Sequence, residues 1–109
     1  MNQLRNHVQL IGTLGQDVEF KKLSNGKSIA RATLATKEVY RNKRGEKIVD
    51  LQWHKLVGWD SIAEIMQVLL KKGRQVAVQG KLAHRAYESK DGLTRHISEV
   101  IISEFMPIN

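Results

Sequence analysis

Alternation of apolar with polar side chains, interrupted once by a helical spacing, is what most constrains the fold of this chain. Val8, Leu10, Gly12 and Leu14 fall on one side of a first strand, opposite His7, Gln9, Ile11 and Thr13. Gly15-Gln16-Asp17 forms a corner leading into a short continuation, Val18 to Lys22. Ser24-Asn25-Gly26-Lys27 carries an Asn-Gly turn signal, since both residues tolerate the positive φ of a tight hairpin. A second strand is expected over Ser28 to Tyr40 and a third over Ile48 to Trp59. They are joined by the basic tip Arg41-Asn42-Lys43-Arg44-Gly45-Glu46-Lys47.

The spacing then changes. Ile62, Ile65, Met66 and Leu69 recur at i, i+3, i+4 and i+7, the buried face of a helix. Ser61-Ile62-Ala63-Glu64 fits a capping box at its start. Lys71 and Lys72 are expected in the last turn, with Gly73 as the left-handed residue that ends it. Two further strands, about Arg74 to Glu88 and Leu93 to Met106, flank Ser89-Lys90-Asp91-Gly92, a hairpin signal. Three strands, a helix and two strands match an all-β, five-stranded OB-fold Greek-key barrel with its helix between strands 3 and 4. An SH3-like barrel is the rival for the strand count, but it does not usually carry a helix there.

At 109 residues, 41% of them hydrophobic, the chain fits one domain, expected over residues 1–106, with 107–109 as a short end. It has no cysteine, which excludes disulfides, thiol nucleophiles and cysteine-held metals. The opening residues have no hydrophobic signal core, so a cytoplasmic location is expected. The net charge of +7 and pI near 9.9 point to a polyanionic partner. Nucleic acid stands ahead of acidic membrane, because no basic amphipathic helix is present.

Parity on the third strand locates where such a partner could sit. Leu51, Trp53, Lys55, Val57 and Trp59 share one side; Gln52, His54, Leu56 and Gly58 share the other. A lysine between two indoles fits a closed core badly, because its ammonium would have to be desolvated. It fits a groove where bases stack on flat rings and phosphates meet cations. On the fourth strand Lys81, Ala83, Arg85 and Tyr87 repeat the pattern opposite the apolar Val76, Val78, Gly80 and Leu82. Tyr40 closes the second strand beside Arg41, Lys43, Arg44 and Lys47.

Other chemistries find no support. Gly12-Thr13-Leu14-Gly15 spells a GxxG string, but it ends a strand and is turn chemistry. His7, His54, His84 and His96 lack metal-ligand spacing, and no nucleophile motif or phosphate-binding loop is present. No enzyme, cofactor or metal is expected. His54 points away from Trp53, where a hydrogen bond within the fold or a subunit contact is expected. An RNA-binding or primosome-type OB protein, and a structural OB subunit docking a protein, stay open at this level.

Beyond this, the chain resembles the bacterial single-stranded DNA-binding proteins over nearly its whole length. The resemblance rests on Asn6-His7-Val8-Gln9-Leu10-Ile11-Gly12-Thr13-Leu14-Gly15-Gln16-Asp17, on Leu34-Ala35-Thr36, and on Trp53-His54-Lys55-Leu56-Val57. It continues through Lys71-Lys72-Gly73, Val78-Gln79-Gly80-Lys81-Leu82, Asp91-Gly92 and Glu99-Val100. It implies little-selective coating of single-stranded DNA during replication, recombination or repair, in a nucleoid-associated homotetramer. It places stacking aromatics at Tyr40, Trp53, Trp59 and Tyr87, backbone-binding cations at Lys55, Lys72 and Arg85, and a subunit contact near His54. Such proteins usually continue into a flexible linker and an acidic tip that recruits other proteins. Met106-Pro107-Ile108-Asn109 carries neither, so recruitment is not expected of this sequence.

Overall fold

The computed structural model describes residues 5–108. Its elements run β1 (Val8–Leu14), β2 (Glu19–Lys22), β3 (Ser28–Arg41), β4 (Lys47–Trp59), α1 (Ser61–Leu69), β5 (Gln75–Glu88) and β6 (Thr94–Pro107). The expected domain start at Met1 and chain end at Asn109 lie outside the described residues. The alternation predicted one strand fewer. The segment after the Gly15 corner continues past β1 along the same edge of β3, as expected, but as a separate strand, with Glu19 opposite Arg31 and Lys22 opposite Ser28.

The hydrogen-bonded order is β1-β5-β6-β4-β3-β2, and β1 also meets β3 at Thr13↔Ala35 and Leu14↔Leu34. Five strands therefore close a barrel, with β2 outside it and α1 between the third and fourth barrel strands: the expected OB-fold. Closure depends on a close approach at Gly12, where a Cβ would collide with the Ala35 carbonyl. The other seam, β4 against β6, is parallel and has only the rungs Leu56↔Val100 and Val57↔Ile101. Leu14, Leu34, Leu56, Val76, Val78 and Val100 point inward from the strands, and Met66 and Leu70 plug the barrel from the helix side.

The helix is present, but its ends differ from expectation. Asp60, at φ 53°, is the N-cap, and Ser61 is already the first helical residue, so no capping box forms. The Asp60 carboxylate instead accepts the Ser28 N–H at 3.1 Å, and the Asp60 N–H donates to Ser28 O at 2.8 Å. This ties the helix start to β3. The helix stops at Leu69, because Leu70 turns extended to enter the core. Lys71 and Lys72 therefore lie beyond the last turn. Gly73 does adopt positive φ, 86°, but in a separate turn closed by Arg74 N–H to Lys71 O. Its buried stripe is Ala63 and Met66, with Ile62 partly covered; Ile65 and Leu69, expected inside, are exposed because the short helix touches the barrel along one narrow line.

Beyond the β4–β6 seam the two antiparallel pairs continue outward as arms. β3 and β4 stay paired from Ile29↔Trp59 to Arg41↔Lys47, and β5 and β6 from Lys81↔Ile101 to Glu88↔Thr94. The register slips between Gln79 and Gly80, leaving Ser103 as the extra residue of a bulge that bends β6 where its arm begins. Leu82, expected in the apolar inner series, is 41% exposed because it already belongs to the arm. The radius of gyration, 16.0 Å, exceeds the roughly 13 Å of a compact chain this long, as projecting arms require. The arm tips are tight. At the β3–β4 tip the Asn42 side chain accepts the Arg44 and Glu46 N–H groups and Gly45 takes φ 80°, a three-residue hairpin with the glycine after the turn.

Candidate nucleic-acid interface

Residues directly opposite in an antiparallel pair share a face. The register therefore sets Arg31, Thr33, Ala35, Lys37, Val39 and Arg41 of β3 beside Val57, Lys55, Trp53, Leu51, Val49 and Lys47 of β4. Every charged side chain that β3 and β4 place on that face is a cation, namely Arg31, Lys37, Arg41, Lys47 and Lys55, and β2 sets Glu19 beside Arg31 at its edge. Trp53 is 58% exposed and Trp59 39%, so neither indole is core filler. Six residues of strand separate them, roughly 20 Å at 3.3 Å per residue. One base cannot touch both rings; a ligand that uses both runs along β4.

The second arm completes a groove across the β4–β6 seam. Its walls include Arg31, Thr33, Lys55 and Val57 from the first arm and Arg85, Tyr87, Ile97 and Glu99 from the second, with Gln16 and Asp17 of the β1–β2 corner at one end. Arg85 Nε donates to Oε1 of the buried Glu99 at 2.9 Å, and its Cζ lies 5.8 Å from the centroid of the Tyr87 ring. The carboxylate thus aims a cation along an aromatic face inside the groove. Lys72 reaches the groove's rim through its backbone, whose N–H donates to Asp17 Oδ1 at 2.8 Å.

The structure gathers Lys55, Arg85 and Tyr87 around this groove, with Trp53 and Trp59 on either side of it along the same side of β4. Other predicted residues lie elsewhere. Tyr40 is opposite Ile48, on the reverse face of the first arm with Thr36, Glu38, Asp50, Gln52 and His54. There the only charges are the facing acids Glu38 and Asp50. Lys43 and Arg44 are exposed at the tip, about 25 Å of strand from Lys55. Arg41 turns one guanidinium N–H onto the Gly45 carbonyl at 2.8 Å. His54 is half-buried and hydrogen-bonded to Thr36 Oγ1 at 2.8 Å, a bond within the fold. Among the described residues no three His, Asp or Glu side chains group as metal ligands, and no helix is long and apolar enough to cross a membrane.

A sequence profile of the single-strand binding protein family matches residues 5–108. The chain belongs to that family. Single-stranded DNA-binding protein 1 of Chlorobaculum tepidum is 36% identical over 100 residues, 91% of this chain and 62% of that protein, so the chain spans under two thirds of its relative. The Plasmodium falciparum SSB in complex with ssDNA superposes with a TM-score of 0.86 at 32% identity, over 95% of both chains. A deletion variant of the Thermus aquaticus single-stranded DNA binding protein gives a TM-score of 0.83 at 27% identity, over 95% of this chain and 50% of that one. Members of the single-strand binding protein family are non-enzymatic.

In this family member the groove residues that escaped the sequence reading include Arg31, Thr33 and Glu99. Parity along β3 alone would have found the first two, on the side that also carries Lys37. Glu99 had no such signal, since a lone glutamate in a strand does not reveal which arginine it faces.

Proposed function

We propose that the chain binds and coats single-stranded DNA with little sequence preference. Bases stack on Trp53, Trp59, Tyr87 and Tyr40, while Lys55, Arg85, Lys72 and the hairpin cations Arg41, Lys43 and Arg44 meet phosphates. The observation that carries this reading is the pair of exposed indoles flanking Lys55 on one face of β4, where every charge supplied by β3 and β4 is positive. Indole faces stack on any base at about 1–3 kcal/mol each and do not read base edges, so selectivity is slight. A relative solved with single-stranded DNA, matched over 95% of both chains, supports the choice of ligand. The reading extends to a cytoplasmic, nucleoid-associated homotetramer with His54 near a subunit contact, acting in replication, recombination or repair.

Titration with oligo-dT tests the site. The Trp53→Ala/Trp59→Ala double variant is expected to lose about 2–6 kcal/mol of binding free energy. Undiminished binding by that variant refutes the assignment.

A further inference from the structure

Trp53 stands at the root of the first arm with only the small Ala35 opposite it on β3. Its ring rests on Gly15. A Cβ placed on Gly15 would collide with Cζ3 of the indole and lie 3.0 Å from Cη2 and 3.5 Å from Cε3. All three nearest atoms belong to that one ring. The backbone does not require glycine here, because the glycines of positive φ are Gly26, Gly45, Gly73 and Gly92. Only the indole does.

We propose that Gly15 is a positioning residue for Trp53: its bare backbone is the seat that sets the angle at which the indole is offered to a base. The proposal rests on the reading of Trp53 as a stacking platform. The seat itself is firmly held. Gly15 N–H donates to Thr33 O at 3.0 Å, Leu14 N–H donates to Arg74 O at 3.0 Å, and Leu14 O accepts Gly73 N–H at 2.8 Å. A side chain at position 15 therefore cannot be relieved by moving the backbone back. It is relieved by swinging the far end of an exposed ring, which leaves the core untouched. A methyl group at Gly15 should thus act on binding far more than on folding.

The test uses the full chain and fluorescently labelled oligo-dT, whose anisotropy does not depend on tryptophan emission. Gly15→Ala is expected to weaken binding about tenfold, comparable to Trp53→Ala and to the loss of one stacking ring. Its melting temperature should stay at the wild-type value, and adding Gly15→Ala to Trp53→Ala should weaken binding no further. Wild-type affinity in Gly15→Ala beside a weakened Trp53→Ala overturns the proposal. So does a Gly15→Ala loss that persists undiminished in the Trp53→Ala background. If Gly15→Ala melts lower, recovery of the melting temperature in the double variant supports the seat, and failure to recover overturns it. If Trp53→Ala binds like wild type, it is the stacking reading that fails. The seat is then decided on the free protein by acrylamide quenching of Trp53 in a Trp59→Phe background: altered by Gly15→Ala if the ring rests there, unchanged if it does not.

Discussion

Arg85 and Glu99 show how a groove can hold a carboxylate and still attract an anion. Glu99 has only 8% of its side chain exposed and Arg85 has 43%, so the pair is buried on one side and open on the other. The arginine neutralises the acid and keeps donors free for a ligand. Removing each partner therefore has unequal consequences. Arg85→Ala leaves a buried carboxylate without its cation, and we expect a loss of about 1–2 kcal/mol in urea unfolding together with weaker oligo-dT binding. Arg85→Ala/Glu99→Gln should regain the stability, because a neutral amide costs less to bury than a carboxylate, yet should not regain the lost phosphate contact. A double variant as unstable as Arg85→Ala would show that the pair is not what stabilises this part of the fold.

At the scale of the element, the β3–β4 arm is a two-sided ribbon with its charges sorted by face. Cations occupy the Trp53 side, and the facing acids Glu38 and Asp50 occupy the Tyr40 side. Like charges directly opposite disfavour pairing, so the sorting has a cost in the free protein and works to keep phosphates on one face. Lys37→Ala and Lys47→Ala are each expected to reduce the slope of log affinity against log salt by about 0.7, one phosphate contact apiece. Glu38→Ala should not weaken binding, and Tyr40→Ala should cost less than Trp53→Ala. Equal losses for the two aromatics would mean that the strand engages both faces of the arm alike. This sorting was only half legible in the sequence. Alternation gave each strand's two sides and turn residues gave the hairpins, because both are local. The facing of Glu38 on Asp50 and of Arg31 on Val57 depends on register, which neither strand carries alone. The helix ends were misread for a related reason. Asp60 takes the cap position because its carboxylate answers Ser28, 32 residues earlier. Leu70 leaves the helix because the core needs a side chain there.

On the scale of the whole molecule, the groove straddles one of the barrel's two thin closures, each of only two rungs. Thirteen rungs join β3 to β4 and a comparably long ladder joins β5 to β6, but only Leu56↔Val100 and Val57↔Ile101 join the two pairs at the seam. Each arm is thus firm in itself and hinged to its neighbour through little. Local opening concentrates where few backbone bonds must break. In the free protein, amides 97–101 should therefore exchange with solvent faster than those of the Val76–Val78 stretch, which pairs with β1 on one side and β6 on the other. A bound strand that stacks on Trp53 and meets Lys55 on one arm, and meets Arg85 and Tyr87 on the other, ties the arms across that seam. Ligand contacts made only in the closed arrangement stabilise it by mass action. Saturating oligo-dT should then slow exchange at 55–57 and 97–101 more than at the tip around Asn42–Glu46, which lies outside the groove. Hydrogen-exchange mass spectrometry with and without the oligonucleotide reads this directly. Protection confined to the tip, with the seam unchanged, would mean that the strand follows one arm and never bridges the groove.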